Sequence, residues 1–254
     1  MTLSCCSKLV PWQTFVYAVW ASIPCGFLYT FSTFSIALRN ALELKESQLS
    51  TVAAAEIVVS VFTWIPGVVV DKVGVTIAMY IGAVLHGASW FFLAVVAVWK
   101  VPVPFPEGVV ALLVANATMS GAYITGAVFK VLTYNFKKQR AAVVGIAKAW
   151  VGLASGLSTT IFAGFHRGSS EDPSQLTYLW FLSIFALALP LLASPFVRML
   201  DSEAVEGTEA LGDNQWIPPG YRVPISSALT LVLAALTALA SLLEGDVAPG
   251  GRAL

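Results

Sequence analysis

The chain has 254 residues, 57% of them hydrophobic and only 11% charged, with a mean hydropathy of +0.80. A soluble domain of this length could not hide so much apolar surface, so the solvent of this chain is lipid. Its 14 basic and 14 acidic residues balance, which disfavours nucleic acid and an anionic surface as partners.

The chain opens on a short segment, residues 1–11, that carries Cys5 and Cys6 beside the first apolar run. This doublet is either a pair of plain thiols or a palmitoylation site, and with Cys25 inside the first run no disulfide framework is visible. Seven apolar runs follow, each long enough to cross a hydrocarbon layer of ~30 Å, at 12–38, 48–70, 75–98, 108–133, 141–164, 177–198 and 223–243. The first is too long for a cleaved signal peptide and lacks a small-x-small site, so it is expected to stay. Residues 199–222 are acidic and contain Gly and Pro, the pattern of a linker, and 244–254 reads as a disordered tail.

Basic residues in short loops favour the cytoplasmic side. With a cytoplasmic N-terminus the inner side holds Lys8, Lys72, Lys130, Lys137, Lys138, Arg140, Arg198 and Arg222, and the outer side Arg39, Lys45, Lys100, Arg167 and Arg252. The inner side has the excess, which sets the expected orientation. Which cell membrane holds the protein is not legible.

Two spans carry a central charge, and an ionised group there costs at least ~2.5 kcal/mol. They are Glu56 in the second span and Lys148 in the fifth. From helical rise their depths differ by roughly 10 Å, which argues against a direct salt bridge. Glu56 is then either a proton carrier on a transport path or a neutral, hydrogen-bonded link between helices. Lys148 either snorkels inward or faces a cavity, and the cavity role is preferred. Asn116 is the remaining strongly polar group within a span. Its glycosylation sequon, Asn116-Ala117-Thr118, lies too deep to be modified, so an interhelical hydrogen bond or a polar pocket shared with Glu56 is expected. His86 has no second ligand at helical spacing and reads as a packing residue, and no metal or cofactor is expected. Nor does any nucleophile–base pair or phosphate loop appear, so the chain is read as no enzyme.

Small residues let helices approach closely in lipid. Gly145, Gly152 and Gly156 in the fifth span, the last two a GxxxG pair, are the expected packing positions. Lys148, Gly152, Ser155 and Thr159, at spacings of three and four, make one stripe expected to face inward.

The junction GVVVDKVG, Gly67 to Gly74, resembles the G-x3-D-[RK]-x-G signature of the major facilitator superfamily, with Gly67, Asp71, Lys72 and Gly74 in place. Gly67 is expected to permit close helix approach and Asp71 to interact with the positive start of the third span. Residues 12–53, the IGAV at 81–84 and NFKKQRAAVVGIAKAWVGLASGLS at 135–158 resemble the nodulin-like branch of that superfamily. Its pattern NFP-x-x-RG-x-V-x-G-x-x-KG-x-x-GLS is met by Asn135, Phe136, Arg140, Val143, Gly145, Lys148, Gly152 and Leu153. Lys137 stands in place of the proline, and Ala141 and Ala149 in place of glycines.

The resemblance implies an all-α, polytopic fold: residues 12–198 as the six-helix N-terminal half of a major facilitator-type transporter, plus one extra C-terminal helix. It also implies alternating access to a midplane site lined by the first, fourth and fifth spans, which suits Lys148 and Asn116. The expected ligand is a small solute, with an organic anion suited to Lys148. A full transporter of this kind has about twelve spans, so a truncated gene model, a dimerising half-transporter and a degenerate copy are all open. The competing reading is a non-transporting membrane scaffold or regulatory fragment.

Overall fold

A computed structural model describes residues 11–165, 173–201 and 219–247, with side chains at 163–165, 173, 219–221, 223 and 238–247 left aside. Cys5, Cys6, Lys8, Arg167, Arg252 and most of the acidic linker and of the tail lie outside the described residues. The described backbone is helical throughout, without strands. In chain order the helices are α1 (Pro11–Ser22), α2 (Phe31–Ala41), α3 (Glu46–Ser60), α4 (Trp64–Val73), α5 (Val75–Val98), α6 (Pro106–Asn135), α7 (Arg140–Phe165), α8 (Tyr178–Ala193) and α9 (Pro219–Val247). Five stretches are long and apolar enough to cross a membrane, and a sixth is if α3 and α4 count as one.

Two spans are broken, and proline chemistry accounts for both. Between α1 and α2 the chain winds as a 3-10 helix over Ile23–Thr30, with Pro24 in its first turn. Proline lacks the N–H that would continue the α-ladder and crowds the carbonyl four residues back. Between α3 and α4 the axis bends by 48°. Pro66 enters two residues after the break, and over 61–63 the backbone N–H groups turn to i−3 carbonyls, as in Val61 N to Val58 O at 3.3 Å. Ser60 and Thr63 hydroxyls add donors to the carbonyls of Ile57 and Ser60, at 2.6 and 2.8 Å.

One residue, Gly74, separates α4 from α5, with φ 89° and ψ 161°. That conformation is essentially confined to glycine. It turns the chain back without a loop.

The core has two aromatic and aliphatic layers. Toward the end of the bundle that holds the start of α1 and the basic 137–140 turn, Phe15 and Phe136 pack with Val131, Leu132 and Val143. Toward the other end Phe34, Trp90, Leu93, Tyr178 and Leu182 fill the space between α2, α5 and α8. Edge-to-face rings recur in both, such as Trp12 with Phe136 at 5.1 Å and Phe34 with Trp90 at 6.1 Å.

Close helix approach in the bundle falls at glycines outside the fifth span. A Cβ built on Gly82 would lie 2.8 Å from Ile124 Cγ1 and 3.0 Å from Ser120 O, so α5 and α6 touch backbone to side chain there. One on Gly87 would lie 2.7 Å from Leu187 Cβ, which seats α8 on α5. One on Gly26 would collide with the carbonyl oxygen of Val151 and stand 3.1 Å from Ala154 Cβ. Gly67, Gly145 and Gly152, by contrast, have nothing within 4 Å of such an atom. Gly145 and Gly152 sit one turn either side of Lys148, on its exposed face, where no helix crosses. Gly156 meets Thr237 of α9 at an ordinary 3.8 Å.

Helix α9 extends beyond the expected 223–243 at both ends. The Arg222 guanidinium lies 5.6 Å from the ring of Trp12 at the start of α1. With Thr237 against Gly156, α9 therefore enters at the end where α7 begins and runs alongside it in the same sense.

Candidate functional site

Both breaks open onto one cavity of about 200 Å³. The 3-10 segment supplies Cys25, Leu28 and Tyr29, and the bend between α3 and α4 supplies Thr63. Helix α6 adds Thr118, Gly121, Ala122, Thr125 and Phe129, and α7 adds Lys148 and Val151. On α6, positions 118, 121 and 125 share one helical face, and on α7 so do 148 and 151. An uninterrupted first span would carry residues 25, 28 and 29 on a single continuous stripe; the tighter 3-10 winding is what brings this segment under Val151.

Lys148 is the cation of this cavity. Its side chain is exposed, and no acidic side chain lies within 4.0 Å of it among the described residues. Tyr29, 65% exposed, offers a phenol that likewise has no hydrogen-bond partner among them. The remaining polar lining is four groups that already donate. Thr63, Thr118 and Thr125 hydroxyls give their protons to Ser60 O, Val114 O and Gly121 O at 2.8, 3.1 and 3.0 Å. The Cys25 thiol gives its own to Gly121 O at 3.5 Å.

The other two polar span residues are placed elsewhere. Asn116 donates from Nδ2 to Ser89 Oγ at 2.7 Å and to Leu85 O at 3.5 Å, tying α6 to α5 outside the cavity lining. It is the interhelical hydrogen bond and not the pocket group. Glu56 is half-buried on α3, has no hydrogen-bond partner among the described residues, and does not line the cavity. No salt bridge joins it to Lys148.

The junction signature also resolves into contacts. Asp71 does not serve the start of α5; its carboxylate accepts from Lys130 Nζ on α6 at 2.7 Å. The reason is reach: α5 begins four residues on, past the Gly74 turn, whereas Lys130 stands opposite at hydrogen-bond distance. The two side chains are 71% and 34% exposed, so the pair contributes about 1 kcal/mol or less. Lys130→Glu is accordingly expected to lower the unfolding midpoint in detergent only slightly, and Asp71→Lys added to it to restore the loss; a double-mutant cycle reads this. Lys72 is exposed, and Gly67 lies in open space rather than at a helix crossing.

Two residues do more than the sequence indicated. His86 is fully buried, as a packing residue should be, but it is also a junction of three spans. Its Nδ1 lies 2.9 Å from Ala117 O and 3.1 Å from Ser120 Oγ, its Nε2 3.1 Å from Pro24 O, and Trp90 Nε1 donates to Nε2 at 3.3 Å. It stands directly behind the cavity wall, since a Cβ on Gly121 would be 3.8 Å from both His86 Cε1 and Cys25 Cβ. Asn135, the first residue of the nodulin-like pattern, is buried and clamps the segment after α8. It donates to Arg198 O at 2.9 Å and accepts from Leu200 N at 3.0 Å. Its signal in the sequence was a polar residue inside an otherwise apolar helix end.

Comparison with known proteins agrees with this architecture. A family model described as Nodulin-like matches residues 11–243, which takes in α9 as well as the first six spans. Protein NUCLEAR FUSION DEFECTIVE 4 of Arabidopsis thaliana is similar, at 22% identity over 189 residues, covering 72% of this chain and 31% of that protein. The chain thus spans about a third of the length of that relative. With its apolar helices and a family match across most of its length, the chain is an integral, multi-pass membrane protein and belongs to the nodulin-like family.

Proposed function

We propose that this chain forms one wall of a secondary-active transporter of the major facilitator type, moving a small organic anion by alternating access, with its N-terminus in the cytoplasm. The observation that carries this reading is Lys148: a cation with no acidic partner within reach among the described residues, in a cavity assembled at the breaks of two spans. An exposed ammonium in the lining of a cavity at the breaks of membrane spans is available to a ligand charge. Broken spans beside a central cavity are a recurring arrangement in transporters. Lys148 is the anion-binding residue of this proposal, Tyr29 a second donor, and Glu56 a proton-coupling residue acting from outside the lining. The solute cavity is closed by further helices, from a longer form of the chain or from a second copy.

The test is uptake of labelled carboxylates into proteoliposomes holding the full chain, with an imposed proton gradient. Lys148→Met is expected to lower uptake at least about tenfold, with an unchanged thermal unfolding midpoint because Lys148 has no partner to lose. Glu56→Gln is expected to uncouple uptake from the gradient without abolishing exchange. Absence of flux across the anion panel from verified, folded protein would favour the non-transporting scaffold.

A further inference from the structure

The hydrogen-bond polarity of the cavity specifies more than an anion. Three of its threonines have already spent their protons on backbone carbonyls, at 2.8, 3.1 and 3.0 Å for Thr63, Thr118 and Thr125. A hydroxyl has one proton and two lone pairs, so each of these side chains faces a ligand as an acceptor. Two donors remain, the Lys148 ammonium and the Tyr29 phenol. The cavity therefore pairs one donor end, carrying a single positive charge, with a body of acceptors.

We infer that the ligand of this cavity is a small monocarboxylate bearing hydroxyl groups. This rests on the anion-binding reading above. Its carboxylate accepts from Lys148 and Tyr29, and its hydroxyls donate to the threonine oxygens. A dicarboxylate would place a second negative charge against acceptor oxygens, with no second cation among the described residues of the lining. An unsubstituted carboxylate would dehydrate the threonine oxygens without replacing the donors that water had supplied, which is costly in a site with few alternatives.

Isothermal titration of the full chain in lipid nanodiscs with glycerate, propionate and malonate tests this, because the three differ only in what the cavity should read. Glycerate is expected to bind about tenfold or more tightly than propionate or malonate, as two good hydrogen bonds and an unpaired charge respectively require. Thr118→Val combined with Thr125→Val, which keeps the volume, is expected to bring glycerate to the propionate level and leave propionate within about twofold. The matching double serine variant keeps both oxygens and should keep the preference, which separates lost acceptors from lost packing. Propionate or malonate binding as tightly as glycerate, with both still weakened by Lys148→Met, overturns the hydroxy-acid assignment and leaves the anion site standing. Binding of none of the three, or binding indifferent to Lys148→Met, overturns the anion reading and this assignment with it.

Discussion

Replacing Gly26 by alanine is expected to destabilise the protein more than any other single methyl group added in the described bundle. The added carbon would meet the Val151 carbonyl oxygen and come within 3.0 Å of its carbon and 3.1 Å of Ala154 Cβ. These are backbone and first-carbon atoms of α7, which no rotamer change can move aside. The 3-10 segment of the first span and α7 must separate as units, and overpacking of this kind costs about 3 kcal/mol or more. The separation also withdraws Cys25, Leu28 and Tyr29 from Val151 and Lys148 across the cavity. Gly26→Ala should therefore lower the midpoint of unfolding in mixed detergent–SDS micelles and weaken carboxylate binding together. Gly152→Ala, which has open space around it, is the internal control and should leave both within error. Equal effects of the two substitutions would refute the contact.

Replacing His86 by leucine is expected to cost about 2–4 kcal/mol, since the side chain is near in volume but cannot answer any of its polar neighbours. In either tautomer it would remove a ring N–H facing a buried carbonyl, Ala117 O from Nδ1 or Pro24 O from Nε2, and in the Nδ1–H form it would also leave Trp90 Nε1–H without its acceptor. These partners belong to the first, third and fourth spans, so the loss is felt as loosened helix association more than as lost helix content. Unfolding should begin at lower denaturant with the far-ultraviolet helix signal of the folded state unchanged. A midpoint equal to that of the unaltered protein would show that the ring is only a space-filler.

How legible was this in the sequence? The spans were, because apolar runs of twenty or more residues have few alternatives, and Lys148 was, because a lone ammonium in such a run has to be accommodated. Asn116 shows the limit. Two residues along a helix turn the side chain by about 200°, so Asn116 points at Ser89 while Thr118, Gly121 and Thr125 face the cavity. Depth is read from rise, whereas direction depends on which helix lies alongside. Glu56 also stands off the lining: seven residues before Thr63 it would share a face with it in a straight helix, but the 48° bend breaks that register. The cavity threonines were not legible at all, because threonine within a helix commonly bonds its own backbone and looks structural. The glycines of the fifth span misled because GxxxG marks a surface that permits close approach, not one where a neighbour is present. The closest approach uses Gly26, alone in its segment, whose partner is another chain segment's carbonyl.

The Gly74 turn has a mechanical meaning. Helix α4 is held at one end by a single residue joined to α5 and, beside it, by the Asp71 carboxylate gripping Lys130 of α6. Its other end is the bend that carries Thr63 into the cavity. Ten residues of helix make an arm of about 15 Å, so a tilt of some 10° at the charged end displaces the Thr63 hydroxyl by roughly 2–3 Å. That distance is comparable to a hydrogen bond. The Asp71–Lys130 contact beside Gly74 and the Thr63 hydroxyl in the cavity are thus opposite ends of one short helix, so a tilt at either end would be read at the other.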